Sequence, residues 1–295
     1  MSINFHQLRC FHAVALHGSF TAAARSLFIG QPSITTHVKA LEQRFGIELF
    51  YRHGHIVELT HTGHKLMVMT MRIFTLEAET EETLRAAGGL LEGKIRISAF
   101  DPVQVTRMAA AFGLQYPEVM VSVAFGNIGE LRDNLLELKA DVAILPQLGD
   151  QRFFTIPYRR ARISLLVGLG HAWSERHEVQ IRDLEGQRIV TRESASMQRK
   201  VFDTHLEEAG VSVRRVLEID SQEAVREAIA YGMGIGILLD VGNFKDPRFR
   251  VIEIADTPMF IDMEIGCLAE RREAPVIKAF FDVVRRMQDG EESVN

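Results

Sequence analysis

The sequence predicts a two-part chain: an α+β head built as a winged helix-turn-helix, then a long linker helix, then an α/β unit of two lobes. Three observations predict it. Between Ser19 and Glu42 an alanine-rich helix, a turn at Ile29-Gly30 and a second amphipathic helix follow one another. From Gly63 to about Ala87 there is no proline, and apolar residues step by three and four. From Lys94 onward, strand-like runs alternate with helical runs, the pattern of a parallel sheet with helices on both faces.

In the head, a first helix over roughly Phe5–Leu16 sets Leu8, Phe11 and Ala15 behind the helix pair. Ser19 is an N-cap for the next helix, because its hydroxyl accepts from an orphan N–H of the first turn. Ala22, Ala23 and Ala24 are strong helix formers and let a neighbour approach closely. Leu27 and Phe28 are expected to be buried anchors. Gly30 turns the chain without a Cβ penalty. Gln31-Pro32 then opens the second helix, where the missing proline N–H costs nothing.

In that helix Ile34, Val38, Leu41 and Phe45 recur at the helical period and are expected to form one buried stripe. The opposite face carries Thr35, Thr36, Lys39 and Gln43, side chains that reach phosphates and base edges in a major groove. Leu49-Phe50 and Ile56-Val57 are expected to be the strands of a wing turning at His53-Gly54, with Arg52, His53 and His55 near its tip. The expected contacts to a DNA duplex are therefore Gln31, Pro32, Ser33, Thr35, Thr36, Lys39, Arg52 and His53.

Charge agrees with this division. The 295 residues carry a net charge of −5, so the whole chain is not a basic nucleic-acid binder. Over residues 1–60, however, Arg9, Arg25, Lys39, Arg44 and Arg52 outnumber Glu42, Glu48 and Glu58. A local basic face on an acidic protein suits selective DNA binding. The two cysteines, Cys10 and Cys267, lie in apolar settings and point to a reducing cytoplasm with free thiols. No apolar run is long enough to span a membrane, so no membrane partner is expected.

Along the linker, Leu66, Met69, Ile73 and Leu76, continued by Thr80, Thr83 and Ala87, trace a heptad seam. Glu77, Glu79, Glu81 and Glu82 decorate its outside. The seam predicts a dimerisation helix, since one small head reads only one half-site. Gly88-Gly89 and Gly93 end the helix as a hinge. The expected boundaries are 1–62 for the head, 63–92 for linker and hinge, and 93–295 for the two-lobed unit.

In the last part the expected strands are Ile95–Ala99, Val119–Phe125, Val142–Leu145, Ile163–Gly168, Ile189–Thr191, Val213–Glu218, Ile235–Leu239 and Met259–Leu268. Helices are expected over Val103–Tyr116, Ile128–Leu138, Met197–Ala209, Ser221–Tyr231 and Ala274–Met287. Lobe I takes about 93–160 and 268–290, and lobe II about 161–267. Two lobes with two crossovers resemble the periplasmic-binding-protein arrangement, in which a small ligand sits in the cleft. Ligands in open α/β sheets bind beyond the carboxyl ends of the strands. Three strand ends therefore supply the candidates: Ser98, Phe100 and Asp101; Asn127; and Arg192, Ser194 and Ser196. The third end precedes a helix, whose N-terminus favours an anion, and Arg192 adds a planar charged fork. A carboxylate, phosphate or phosphonate fits there, and Asp101 is the expected partner for an ammonium group of a zwitterion.

Two rival readings come from other features. His53, His55, His61 and His64 cluster around the wing and offer a metal-sensing regulator as an alternative. An enzyme or a solute-binding protein with an appended helical head is the alternative of another class, but no general base beside a reactive centre stands out. Gly232–Gly236 is not a nucleotide loop, because it runs into a strand, and its glycines are expected to serve close backbone packing. No cofactor and no metal ligand set is assigned.

Over Phe5–Gly63 the motifs S-F-T-x-A-A, Q-P-S-x-T, K-x-L-E, G-x-x-L-F-x-R and L-T-x-x-G resemble the LysR-type transcriptional regulators. Gly126–Ile144 and Gly232–Leu239 are similar to the effector domain of that family. The resemblance implies operator DNA and a small effector as partners, and a linker helix paired across subunits of a homodimer or homotetramer. It also implies that ligand in the cleft re-spaces the heads. One position departs from it: many members carry Ser-Arg-Gln where this chain has Thr35-Thr36-His37. The arginine that grips guanine is absent, which points to thymine methyls or phosphates. The variant QPSITTHVKALE also resembles members linked to aminophosphonate use.

Overall fold

The computed structural model of the chain describes residues 3–53, 56–88, 91–240 and 246–292. It divides into two compact units, Met1–Leu91 and Glu92–Asn295.

The first unit contains α1 (Phe5–His17), α2 (Phe20–Ser26), α3 (Gln31–Phe45), β1 (Phe50–His53), β2 (Ile56–Leu59) and α4 (His61–Ala87). Leu8, Phe11, Val14, Ala23, Ile34, Val38, Leu41 and Leu49 share one core. Asn4, Ser19 and Thr60 cap α1, α2 and α4 with their side chains. β1 and β2 pair antiparallel, with Phe50 opposite Leu59. Gly63 is obligatory here, because a Cβ on it would sit 2.2 Å from the Leu49 carbonyl oxygen. Buried Glu42 accepts from the Leu49 N–H at 2.9 Å and so fixes the start of the wing to α3.

Two expectations for this unit fail. Phe28 is 95% exposed and has φ +55°, because the turn before α3 throws its ring outward rather than into the core. Phe45 is also exposed, since the last turn of α3 runs past the end of the core.

The second unit is a two-lobed α/β domain built on a curled eight-stranded sheet. Its elements are β3 (Gly93–Ala99), α5 (Pro102–Gln115), β4 (Val119–Phe125), α6 (Ile128–Leu136), β5 (Val142–Pro146), β6 (Phe153–Gly168) and β7 (Glu178–Val179). They continue with β8 (Arg188–Thr191), α7 (Met197–Ala209), β9 (Arg214–Glu218), α8 (Gln222–Ala230), β10 (Gly236–Asp240), β11 (Phe249–Ile254), β12 (Met259–Leu268) and α9 (Pro275–Glu292). The sheet order is β4-β3-β5-β12-β6-β11-β7, with β10 also on β6. β8 and β9 pair separately and in parallel.

The expected lobe boundaries at 160/161 and 267/268 fall inside unbroken strands. β6 pairs with β12 over Phe153–Ile163 and with β10 over Arg162–Leu166. β12 meanwhile pairs with β5 through Met263–Gly266. The crossings between lobes are therefore long strands, and β7, β11 and the first ten residues of β6 are additions to the expected set.

One buried charge cluster locks lobe I. Asp141 is 5% exposed and accepts from Arg96 at 2.6–3.0 Å and from Arg271 at 2.8 Å. Burial works to raise its carboxyl, but the hydrogen bonds from Arg96 and the charges of Arg96 and Arg271 outweigh that and hold it below the usual carboxylate range. The Gly232–Gly236 run packs as expected: a Cβ on Gly234 would meet the Arg188 carbonyl oxygen at 2.4 Å, and one on Gly236 the Ile229 side chain at 2.1 Å.

Candidate nucleic-acid interface and ligand cleft

The face of α3 opposite Ile34, Val38 and Leu41 exposes Gln31, Pro32, Thr36, Lys39 and Gln43, with Ser33, Thr35 and His37 half-buried. Gly30, the N-cap of this helix, gives no side-chain cap; Pro32 has no N–H and Ser33 N donates to the Gly30 carbonyl at 3.0 Å, so in the first turn only the Gln31 N–H lies outside the helical ladder. The Thr35 hydroxyl donates to the Gln31 carbonyl at 3.1 Å and the Thr36 hydroxyl to the Pro32 carbonyl at 2.9 Å. The rings of His37 and His6 meet edge to face at 4.4 Å. Arg52 and His53 lie on β1, with their side chains outside the described residues, and Gly54 and His55 are themselves outside the described residues.

α4 uses its expected seam twice. Leu66 and Ile73 lean on the core of the first unit. Met69 and Leu76 are 60% and 64% exposed and available to a partner. The same helix is tied to α1 by the Arg9–Glu77 ion pair and by His12, whose Nδ1 lies 3.0 Å from the Thr70 hydroxyl. That hydroxyl gives its one proton to the Met67 carbonyl, so Nδ1 of His12 is the donor. Gly89 of the expected hinge lies outside the described residues.

In the second unit, the first turns of four helices border one cleft of about 660 Å³ and two smaller pockets of about 40 and 30 Å³. Three of these turns are capped from within. Asp101 accepts from Gln104 N on α5, Asn127 from Glu130 N on α6, and Ser221 from Ala224 N on α8. The fourth, α7, is not: Ser196 makes no side-chain cap bond, and the first helical bond runs from Lys200 N to Ser196 O. The N–H groups of Met197, Gln198 and Arg199 stay outside the helical ladder. The Gln198 side-chain amide nitrogen is sealed from solvent, has no partner among the described residues, and belongs to a residue that borders both smaller pockets.

Phe100 and Arg192 line all three cavities, Asn127 two of them, and Ser196 one. Arg192 is held by Glu193 at 2.8 Å, so its fork is already partnered. Arg199 is turned away, donating to the Arg192 carbonyl and to Glu218. Ser98 is not in the cleft: it is buried and accepts from Asn134 on α6 at 3.2 Å, because alternation on β3 points it to that side. Ser194 is exposed and borders none of the three cavities. Asp101 serves first as a helix cap and touches only the smallest pocket. The acids that do border the large cleft are Glu130, Glu193, Asp220 and Glu223. The sequence hides them, since each reads as an ordinary charge next to a helix start or beside an arginine.

Among the described residues no group of three or more His, Cys, Asp and Glu side chains is gathered to hold a metal. His64 instead sits on the Thr60 carbonyl at 3.0 Å. The cysteines are buried and free, and burial pushes the Cys267 thiol up to about 12. No helix among the described residues is long and apolar enough to cross a membrane.

A helix-turn-helix with an open second helix, joined to a two-lobed unit with a polar cleft, defines the class of ligand-responsive transcriptional regulators. Residues 5–64 match the family described as bacterial regulatory helix-turn-helix protein, lysR family, and residues 88–289 match the LysR substrate binding domain. The chain belongs to the LysR family of regulators, and it is a regulator rather than an enzyme. It is 28% identical over 251 residues to the transcriptional regulator CysL of Bacillus subtilis, covering 84% of each chain. It is 26% identical to CbbR of Rhodospirillum rubrum over 94% of both, and 27% to a probable RuBisCO transcriptional regulator of Synechocystis sp. over 84% of this chain and 75% of that one. A full-length OxyR variant from Pseudomonas aeruginosa superimposes with a TM-score of 0.76 at 19% identity, over 97% and 95% of the two chains. CbnR complexed with its target DNA gives 0.69 at 23%, over 96% and 99%. The regulatory domain of Synechocystis CcmR in complex with 2-PG gives 0.60 at 21%, over 66% of this chain and 97% of that one. At these identities the structures speak for the fold.

Proposed function

We propose that the chain is a cytoplasmic regulator that binds operator DNA through α3 and the wing, pairs through Met69 and Leu76 on α4 as a dimer or tetramer, and responds to a small anionic or zwitterionic metabolite in the cleft of its second unit. The observation that carries the effector reading is the start of α7. Of the four helix starts that border the cleft or its two smaller pockets, it alone lacks a side-chain cap among the described residues, and open N–H groups at a positive dipole end favour an anion. Arg192 and Ser196 stand beside it. An ammonium group of the same ligand faces Asp220 and Glu223 rather than Asp101, whose carboxylate is engaged with α5. An aminophosphonate has both ends. Phosphate esters have the anionic one, and 2-PG is the molecule bound by the CcmR domain.

The test is thermal melting of the full chain against amino acids, dicarboxylates, phosphate esters, 2-PG and aminophosphonates. A ligand at a hundred times its Kd stabilises by about 2.7 kcal/mol, a shift of a few degrees. That shift disappears in Arg192→Ala if the seat is correctly assigned. A ligand that stabilises the wild type and Arg192→Ala equally removes the seat.

A further inference from the structure

We propose that Thr35 and Thr36 read thymine in the operator through their methyl groups and do not read guanine. The inference rests on α3 being the DNA-reading helix. It follows from where two protons go. A threonine hydroxyl has one hydrogen. The one on Thr36 is directed to the Pro32 carbonyl at 2.9 Å, and the one on Thr35 to the Gln31 carbonyl at 3.1 Å. Carbonyl oxygens only accept, so both hydroxyls are the donors. Such back-bonding to residue i−4 recurs in helical threonine. Each side chain then offers its surroundings a methyl group and oxygen lone pairs, and no hydrogen.

The bases sort themselves against that offer. In the major groove guanine shows two acceptors, N7 and O6, and needs a donor. While these back-bonds are kept, neither threonine has one to give. A cytosine amino group supplies a donor, but the C·G pair has no methyl. A T·A pair supplies both counterparts, the C5-methyl of thymine for the threonine methyl and the N6 amino group of adenine for the hydroxyl oxygen. Thr36 is exposed and Thr35 half-buried on the face away from Ile34 and Val38, so a groove reaches them directly. The next side chain, His37, is engaged edge-on by His6 of α1 and does not cover them. Donors able to contact guanine remain about one turn away on either side, at Gln31 and Lys39.

The test uses the full chain. Duplexes are first selected from a random-sequence pool, and each selected thymine is then replaced singly by uracil, which lacks only the methyl. Uracil at the positions under Thr35 and Thr36 is expected to weaken binding about fourfold, the equivalent of one buried methyl at about 0.8 kcal/mol. A C·G pair placed there weakens binding, and 5-methylcytosine restores most of the loss. Thr36→Val keeps the methyl and keeps the uracil effect, whereas Thr36→Ser keeps the hydroxyl and abolishes it. The proposal is overturned if uracil is without effect at every selected thymine, or if Ser preserves the effect and Val removes it. A wild-type chain that selects no duplex overturns the regulator reading and this one with it. A variant that loses all duplexes alike has misfolded, and the uracil scan on the unmodified chain then decides.

Discussion

α3 in the first unit and α7 in the second differ from the other capped helices in one respect. Asn4, Ser19, Thr60, Asp101, Asn127 and Ser221 each turn a side chain onto the first turn of their own helix. Gly30 and Ser196 do not. A helix start left without an internal partner is costly unless water or a ligand supplies one. The two open starts are the ones proposed for operator phosphates or bases and for the effector. They also differ from each other. Gly30 has no side chain with which to cap and Pro32 has no N–H, so α3 leaves a single N–H, that of Gln31, outside its ladder, and does so by composition. Ser196 has a hydroxyl that makes no cap bond, so α7 is open by geometry. The first kind is visible in a sequence and the second is not.

The comparison breaks most severely if the frame under one start is removed. Asp141→Ala leaves Arg96 and Arg271 without their shared carboxylate, and loss of one partner of a buried pair costs about 3–5 kcal/mol. Urea unfolding of the second unit is expected to move down by that amount, and duplex binding by the first unit to change far less in conditions where both are folded. The same carboxylate sets a pH limit. Its folded pKa is lowered, so its contribution is fully present above the ordinary value near 4 and is lost as pH falls through the folded one.

Closing the two open starts sharpens the comparison. Ser196→Asp places a carboxylate cap and a negative charge on α7, and it is expected to raise stability by about 1 kcal/mol while abolishing any effector-induced shift. Gly30→Asp is its counterpart in the head. Gly30 has φ −69° and ψ 143°, and an added Cβ meets nothing closer than 3.6 Å, so the residue fits. The gain from replacing a glycine cap is a few tenths of a kcal/mol, so the head is expected to melt about a degree higher and to bind duplex more weakly, with a smaller loss at high salt. If either Asp variant gains stability and keeps its ligand, that start is not a ligand seat.

The smallest effect belongs to His12. Burial lowers its pKa, helped by the charges of Arg9 and His17, and its Nδ1–H is already given to Thr70. A histidine with a depressed pKa contributes fully above its unfolded value near 6.5, and the contribution drains as pH falls toward the folded value. Melting of the head is expected to drop by a degree or so between pH 7.5 and 5.5, and His12→Gln to flatten that slope.

The head was legible because its residues carry local instructions: a cap at Ser19, a glycine at Gly30, a proline at Pro32 and a four-residue stripe. Where the reading failed, the deciding fact was not local. Phe28 and Phe45 fit the apolar pattern, but the core ends before it reaches them. The first half of β6 was missed because Arg159, Arg160 and Arg162 interrupt its alternation. In the structure the Arg159 and Arg160 guanidinium groups lie over the Tyr158 and Phe260 rings, so charged side chains cover a strand. The cleft was legible as a place, since strand ends and helix starts mark it. Its acidic wall was not, because only the topology brings Glu130, Asp220 and Glu223 to one side of one space.

The unbroken crossings have a mechanical meaning. β6 and β12 run as a hydrogen-bonded ribbon from one lobe into the other, so there is no loose joint in them about which the lobes can swing. A ligand drawn between the lobes loads that ribbon as a torsion spring. The give in it is at Tyr158, the extra residue where the register slips between Met263 and Glu264. The Tyr158 hydroxyl donates to Gln104 on α5, so twist at the bulge pulls directly on a helix whose first turn borders the cleft. Stiffness of the ribbon at this one residue would then bear on how readily a ligand can turn the lobes.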